Sequence, residues 1–173
     1  MIPLNSLMLR TCGTGGNSHE GFVWPLTHGA LVTAPDWDPT PECGRGLHGL
    51  RGGEGDWCQF SSAPDAVWIV AVIDAEAVDL GDKIKVPRAR VYYAGGLAGA
   101  LEILIAAGAD IHADDDAALH LAAGNGDAET VRVLIAAGAD IHARGDYALR
   151  RAAEYGRTEI VELLTAAGEK END

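Results

Sequence analysis

A block of ten residues, Leu-Ile-Ala-Ala-Gly-Ala-Asp-Ile-His-Ala, occupies Leu104–Ala113 and returns unchanged at Leu134–Ala143, thirty residues later. Identity at a fixed period means one structural unit stacked on its own copy, because a single short unit cannot bury its apolar face alone. The period extends beyond the block: Leu119–Gly138 aligns with Leu149–Gly168 at the same spacing. Within a unit, Leu119, Ala122 and Ala123 form one apolar stripe, and Val131, Val133, Leu134 and Ile135 form a second. Between them lies Gly124-Asn125-Gly126-Asp127, or Glu154-Tyr155-Gly156-Arg157 in the next copy, a polar turn whose glycine suits a helix end. Each unit therefore predicts two short antiparallel helices. The segment Gly-Ala-Asp-Ile-His-Ala leads on to the next pair.

These residues resemble the ankyrin repeat, through the pattern LHLAA…G…E-x-V-x-x-L-I-x-x-G-A-D-I-x-A, carried twice in register. The resemblance implies stacked helix pairs and a surface for binding another protein. The departures are specific. The family's Thr-Pro-Leu-His is replaced by Ala117-Ala118-Leu119-His120 and by Tyr147-Ala148-Leu149-Arg150. The period is thirty where the family commonly has about thirty-three, and the missing residues fall between Ala113 and Leu119. Shortened connections are expected where the family projects its β-turn fingers.

A partial unit precedes the two full ones. Gly99–Ile111 carries its second helix, but the place of the first is taken by Lys85–Gly95, which is β-rich and contains Pro87. Two and a half units bury little surface, since about three are needed for stability. The upstream residues are therefore expected to pack on Leu97, Leu101 and Leu104 as an N-terminal cap, the two parts forming one rigid body. This reading divides the chain into a β-rich domain at 1–95 and repeats at 96–173, with a half repeat at 96–113 and full repeats at 114–143 and 144–168. The fold class is α+β: a small β-rich domain packed on a short helix-pair solenoid.

Charge narrows the partner. Across 173 residues the formal net charge is −13. Residues 1–95 hold 7 basic and 11 acidic side chains, and residues 96–173 hold 6 and 15. A phosphate-binding surface needs concentrated Lys and Arg, so nucleic acid is not expected as a direct partner. Asp114, Asp115 and Asp116 fall together on an inter-repeat loop, where they either solubilise the protein or steer a basic partner toward it. No apolar run of about eighteen residues occurs, so no membrane-spanning helix is expected. Met1–Leu9 lacks the features of a signal peptide. Three cysteines without regular spacing suit a reducing cytoplasm.

The N-terminal half has a different texture. Ser6–Thr11, Gly21–Trp24, Ala30–Thr33, Ala66–Ile73 and Ile84–Tyr93 are short, apolar and rich in β-branched or aromatic residues, which predicts strands. Ala66–Ile73 is continuously apolar, as a central strand covered on both faces would be. The connections are long and rich in Gly, Pro and Asp, and a mainly antiparallel or mixed β domain is expected. Cys12, His19, His28, Cys43, His48 and Cys58 lie among them, with Trp24, Trp37 and Trp57. A zinc site would need four such ligands in a tetrahedron. Without a CxxC or HxxxH spacing, packed cysteines and hydrogen-bonded histidines are the better reading, and Cys12, Cys43, His48 and Cys58 are the weak metal candidates.

Cys43-Gly44-Arg45-Gly46-Leu47-His48-Gly49, the upstream Ala34-Pro35-Asp36-Trp37 and the downstream KVPRARVYYAG resemble an uncharacterised domain of bacterial and phage proteins. That resemblance implies a bacterial or mobile-element origin and supplies no activity. A second similarity is to ADP-ribosyltransferases of the toxin and poly-ADP-ribose type, whose G-x-G-[LIV]-[HYF] strand lines the nicotinamide pocket. It implies NAD as cofactor, Gly44, Gly46, Leu47 and His48 at the pocket, and Arg10 orienting the ribose. Glu76, or Glu54 on a loop, would then be the catalytic glutamate. Cys12 or Cys58 as a nucleophile with His19 or His48 as base is a further arrangement that spacing does not decide. No GxSxG, Walker or Rossmann fingerprint is present.

Two functions follow. The preferred one is a protein-interaction module, a bacterial or prophage-encoded binding factor acting through its repeats, with no cofactor. The alternative is a small NAD-dependent ADP-ribosyltransferase-like enzyme whose repeats select the target. For the first, the docking residues are those that differ between the two units on the first helices and loops. His120, Leu121, Asn125 and Asp127 become Arg150, Arg151, Tyr155 and Arg157, and Tyr147 is added. A set rich in Tyr and Arg is enriched at interface hot spots.

Overall fold

In the computed structural model the apolar run becomes Val67–Ile73 (β4), and its position explains its composition. The structure describes residues 2–16, 22–42, 45–53 and 66–171. The other strands are Leu7–Cys12 (β1), Leu31–Thr33 (β2), Leu47–Arg51 (β3), Val78–Asp79 (β5), Ile84–Val86 (β6) and Arg88–Gly95 (β7). They form one curled seven-stranded sheet in the order β2-β7-β4-β1-β3-β6-β5, and its neighbouring strands pair antiparallel. β4 lies between β7 and β1, and Trp68, Ile69, Val70 and Ala71 are all buried. Both its faces are covered, so no polar alternation is needed.

Three details depart from the expected strands. Ile84–Tyr93 is two strands, because Pro87 has no N–H to continue the ladder and the chain turns there from β6 to β7. Of Gly21–Trp24, Gly21 lies outside the described residues and only Val23 makes an isolated bridge. β5 has two residues and no apolar pattern long enough to announce it.

One face of the sheet buries Met8, Cys12, Val32, Leu47, Ile69, Ala71, Ile84, Val86, Ala89 and Val91 together with Trp24 and Ala34. The other face meets the helix Leu97–Ala106 (α1), which packs on β4 and β7 and buries Leu97, Leu101 and Leu104. An ideal Cβ on Gly53 would stand 3.0 Å from Leu104 Cδ1, so the turn after β3 closes directly on this helix. In the thirty-residue register α1 is the second helix of the partial repeat, yet its partners here are strands. The chain divides into two compact units, Met1–Ala109 and Asp110–Asp173, and α1 belongs to the first.

The second unit holds Ala113–Asn125 (α2), Ala128–Ala137 (α3), Ala143–Glu154 (α4) and Thr158–Glu171 (α5). α2 packs on α3 and on α4, α4 packs on α5, and α3 packs on α5. First helices thus lie beside first helices and second beside second. Of the stripes read from the sequence, Leu119, Ala122, Ala123, Val131 and Leu134 are buried while Val133 and Ile135 are only half-buried; Ala148, Ala152, Ile160 and Leu164 are buried in the second unit. Asp127 caps α3, its Oδ1 accepting from Thr130 N at 3.0 Å and its Oδ2 from Thr130 Oγ1 at 2.6 Å. Gly138 ends it in the left-handed region at φ 94°, with Ala139 N donating to Leu134 O.

The shortened connection has a specific form. Asp114, Asp115 and Asp116 are all left-handed at φ 55–60°, and Arg144, Gly145 and Asp146 repeat the turn at φ 52–63°. A left-handed L-residue costs about 1–2 kcal/mol, least for Asp, Asn and Gly. Four of these six positions are Asp and one is Gly. The chain is thereby turned into the next helix without a projecting hairpin.

Candidate functional site

The equivalent connections explain why Asp and His recur in the repeat. Asp110 Oδ1 accepts from His112 N at 2.9 Å, and Asp140 Oδ1 accepts from His142 N at 2.8 Å. The ring Nδ1 of His112 then lies 3.2 Å from Asp116 Oδ1, and that of His142 lies 2.5 Å from Asp146 Oδ1. Asp116 Oδ1 also accepts from the backbone N–H of Asp140 at 2.9 Å, tying one repeat to the next. Asp116 is 3 % exposed.

The acidic triplet is therefore not a uniform solvated loop. Asp116 is buried, and Asp115 Oδ2 meets Arg144 Nε at 3.1 Å. Asp114 is exposed, and its carbonyl accepts from Arg144. Two of the three carboxylates thus serve contacts between repeats.

Tyr147, Arg150, Arg151, Tyr155 and Arg157 are brought together on and just beyond α4. Helical spacing puts Tyr147, Arg151 and Tyr155 on one face, and the side chains stack. The Arg151 guanidinium lies 4.4 Å from the Tyr155 ring centre and 5.9 Å from that of Tyr147. Arg150 lies 5.7 Å from the Tyr147 ring centre. Arg151 also meets Glu154 Oε2 at 3.2 Å; desolvation, the largest single influence, lowers its pKa, but the Tyr155, Tyr147 and Glu154 contacts together leave it raised. Arg157 donates to Gly124 O at 3.4 Å and covers Gly126, where a Cβ would stand 3.0 Å from its Nε. Gly124, without a side chain, leaves Arg151 uncovered from that direction. Tyr155 is 48 % exposed.

His120, at the position equivalent to Arg150, behaves differently. Its ring meets Tyr147 edge-on at 4.9 Å, and its Nε2 is buried without a hydrogen-bond partner. Burial holds its pKa below the ordinary value, helped by Arg144, while Asp116, Asp115 and the Ala143 carbonyl act the other way. Sequence reading treated His120 only as a point of divergence. Its burial depends on Tyr147 closing over it from the next repeat, which no spacing announces.

In the first unit, Arg10 and His48 do not converge. Met8 pairs with Arg51 and Leu9 with Leu50, so alternation places Arg10 with Met8 and Cys12 on one face and His48 on the other. Arg10 lies 4.6 Å over the Trp24 ring and donates to the backbone carbonyl of His48 at 3.3 Å. Glu76 is exposed on the β4–β5 connection. The three side chains proposed for NAD chemistry therefore do not share a face. Glu54, Gly44, Cys43, Cys58, His19 and Trp57 lie outside the described residues. Burial pushes the Cys12 thiol up despite the Arg10 guanidinium beside it, which weakens it as a nucleophile. Burial comes first in holding His48 down too, followed by Lys83, Arg10 and Lys85. No group of three or more metal-binding side chains exists among the described residues.

The glycines of the GLHG strand answer to packing. A Cβ on Gly46, at φ 115°, would stand 3.0 Å from the Trp37 ring, and one on Gly49 would meet Met8 Cγ at 2.5 Å and Leu9 O at 2.6 Å. Trp37 is thus a loop anchor on the sheet. Lys85, opposite His48 in β6, was not foreseen: it is 1 % exposed, and its Nζ donates to Glu42 O at 2.7 Å. An open, mostly apolar hollow of about 290 Å³ lies among Leu7, Tyr92, Glu102, Ile103 and Ala106, with Glu102 its one carboxylate. No helix among the described residues is long and apolar enough to cross a membrane.

Comparison with known proteins agrees with this geometry in the C-terminal half. A family model described as ankyrin repeats (3 copies) matches residues 91–173. The chain is also similar to bacterial ice nucleation proteins. It is 35 % identical over 102 residues to ice nucleation protein InaU of Pantoea ananas, covering 57 % of this chain and 10 % of that protein. It is 36 % identical over 126 residues to an ice nucleation protein of Xanthomonas campestris pv. translucens, covering 71 % and 8 %. The chain thus spans about a tenth or less of the length of these relatives. The 126-residue match is longer than the segment 91–173, so it takes in part of the N-terminal half. None of these matches supports the bacterial and phage domain suggested by C-G-x-G-L-H. The C-terminal half of this chain, residues 91–173, carries ankyrin repeats.

Proposed function

We propose that the chain is a bacterial protein-interaction module, acting in the cytoplasm, whose repeats form a short solenoid that docks another protein on the α4 face. The observation that carries this reading is the Tyr147–Arg151–Tyr155 ladder, the one place where the two full repeats diverge into large, partly exposed aromatic and guanidinium groups. Ala122, Val131 and Leu134 are buried and recur as Ala152, Val161 and Leu164, whereas the ladder residues do not recur. Tyrosine rings, with two side-chain torsions each, and a planar guanidinium between them are suited to an interface centre. The N-terminal segment shared with ice nucleation proteins is read as a common module, and ice nucleation is not proposed for this chain.

The test is recovery of partners from the source cell with the full chain as bait, followed by affinity measurement on the recovered protein. Arg151→Ala with Tyr155→Ala weakens that binding more than about tenfold, as truncated hot-spot side chains do, and leaves the melting temperature unchanged. Full binding by the double variant moves the interface off α4.

A further inference from the structure

The ladder carries information on partner chemistry. In the repeat unit, Arg132 meets Glu159 at 2.5 Å, Arg144 meets Asp115 at 3.1 Å, and Arg151 meets Glu154 at 3.2 Å. Arg150 and Arg157 are different. Arg150 donates to the carbonyls of Gly145 and Arg144, and Arg157 to that of Gly124, and neither meets a carboxylate among the described residues. This is unexpected on charge alone, since residues 96–173 hold 15 acidic side chains against 6 basic ones. The two arginines without carboxylates flank the stacked Tyr147, Arg151 and Tyr155, and both are exposed. The acidic triplet, which suggested a basic partner, is largely engaged in contacts between the repeats.

Resting on the docking face proposed above, we infer that this face takes an acidic polypeptide segment. Its carboxylates accept from the free N–H groups of Arg150 and Arg157, and its chain lies across the tyrosine rings. Carbonyl-bound guanidiniums keep several of their five donors for a second acceptor in bidentate geometry. A basic segment would set like charges against Arg150, Arg151 and Arg157. The acids elsewhere on the unit oppose approach at long range, and screening over about 8 Å at physiological salt confines that repulsion. Stacked aromatic and guanidinium groups also fit single-stranded nucleic acid, so the test includes it.

A fluorescein-labelled oligoglutamate peptide is titrated with the full chain by fluorescence anisotropy, beside oligolysine and oligothymidine. The expected result is saturable oligoglutamate binding that weakens with salt and falls more than about tenfold in Arg150→Gln with Arg157→Gln. The Lys pair at the same positions restores part of it, and thermal melting of both variants matches the parent. Preference for oligothymidine or oligolysine, or oligoglutamate binding that ignores these variants, overturns the proposal. So does an absence of oligoglutamate binding. In that case, a recovered partner that still needs Arg151 and Tyr155 keeps the docking face and removes only the acidic chemistry, whereas one that does not need them removes both.

Discussion

Helices α2 and α4 hold equivalent places in successive repeats and differ only where one has a neighbour that the other lacks. Both begin in the same left-handed turn, both bury alanines on the same side (Ala118 and Ala122, Ala148 and Ala152), and both are followed by a glycine in the left-handed region, Gly126 and Gly156. α2 is covered by α4: His120 is enclosed by Tyr147, and Asp116 is buried by the backbone of the following connection. The side chain of Asp146, its counterpart, is 49 % exposed, and Arg150 is exposed where His120 is enclosed. The same backbone thus serves packing in one repeat and surface chemistry in the next. Identity of sequence marks the positions bound by the first role, and divergence marks those released to the second.

The comparison breaks first if the shared core is not a core. Leu134 is 1 % exposed, and Leu134→Ala lowers the unfolding free energy of the full chain by about 2–5 kcal/mol, read from chemical denaturation. A loss under about 1 kcal/mol would mean the helix layers are not closely packed.

A sharper test uses the two turns. Asp116→Ala leaves the Asp140 N–H without its acceptor in a buried place and costs about 1–3 kcal/mol. Asp146→Ala, whose side chain is 49 % exposed, carries the same left-handed strain as Asp116→Ala and lacks this further cost. Equal denaturation midpoints for the two variants would erase the distinction between covered and uncovered repeats.

The smallest effect is on pH dependence. His120 has a folded pKa below its ordinary value of 6.5, mainly through burial. Its neutral form contributes stability that is fully present above about pH 6.5 and is lost as pH falls toward and through the lowered value, because the unfolded state binds the proton first. His48 has the same sign in the other unit. Melting of the parent between about pH 7.5 and 5.5 therefore shows a loss on acidification, part of which His120→Gln removes. An unchanged slope in that variant would place the imidazole in water.

How much of this was legible follows from what each region repeats. The helix pairs, their stripes and their glycine ends could be read because two copies of one unit state the same constraints twice. β4 was legible as a central strand from its apolar composition alone. The split at Pro87 was open to reading and was passed over, although a proline interrupts a ladder by losing its donor. Other features depend on residues far apart in sequence. Gly49 answers to the close approach of Met8, and Gly46 to Trp37. Arg10 and His48 are separated by a register that alternation fixes only once the pairing of β1 with β3 is known. Of the proposed docking set, helical spacing placed Arg151 and Tyr155 on one face, and Tyr147 was singled out only as a point of divergence between the units. Asp116 was misplaced as a surface acid because its acceptor role needs the left-handed turn, which three consecutive aspartates do not announce.

The central claim is that the α4 face can be rewritten without disturbing the fold, and one variant tests it directly. Arg150→His, Arg151→Leu and Tyr155→Asn together give α4 the side chains that α2 carries at the equivalent positions. The account predicts a denaturation midpoint equal to that of the parent, together with loss of the partner recovered by the parent chain. Retained partner recovery, or a fold that fails, would contradict it.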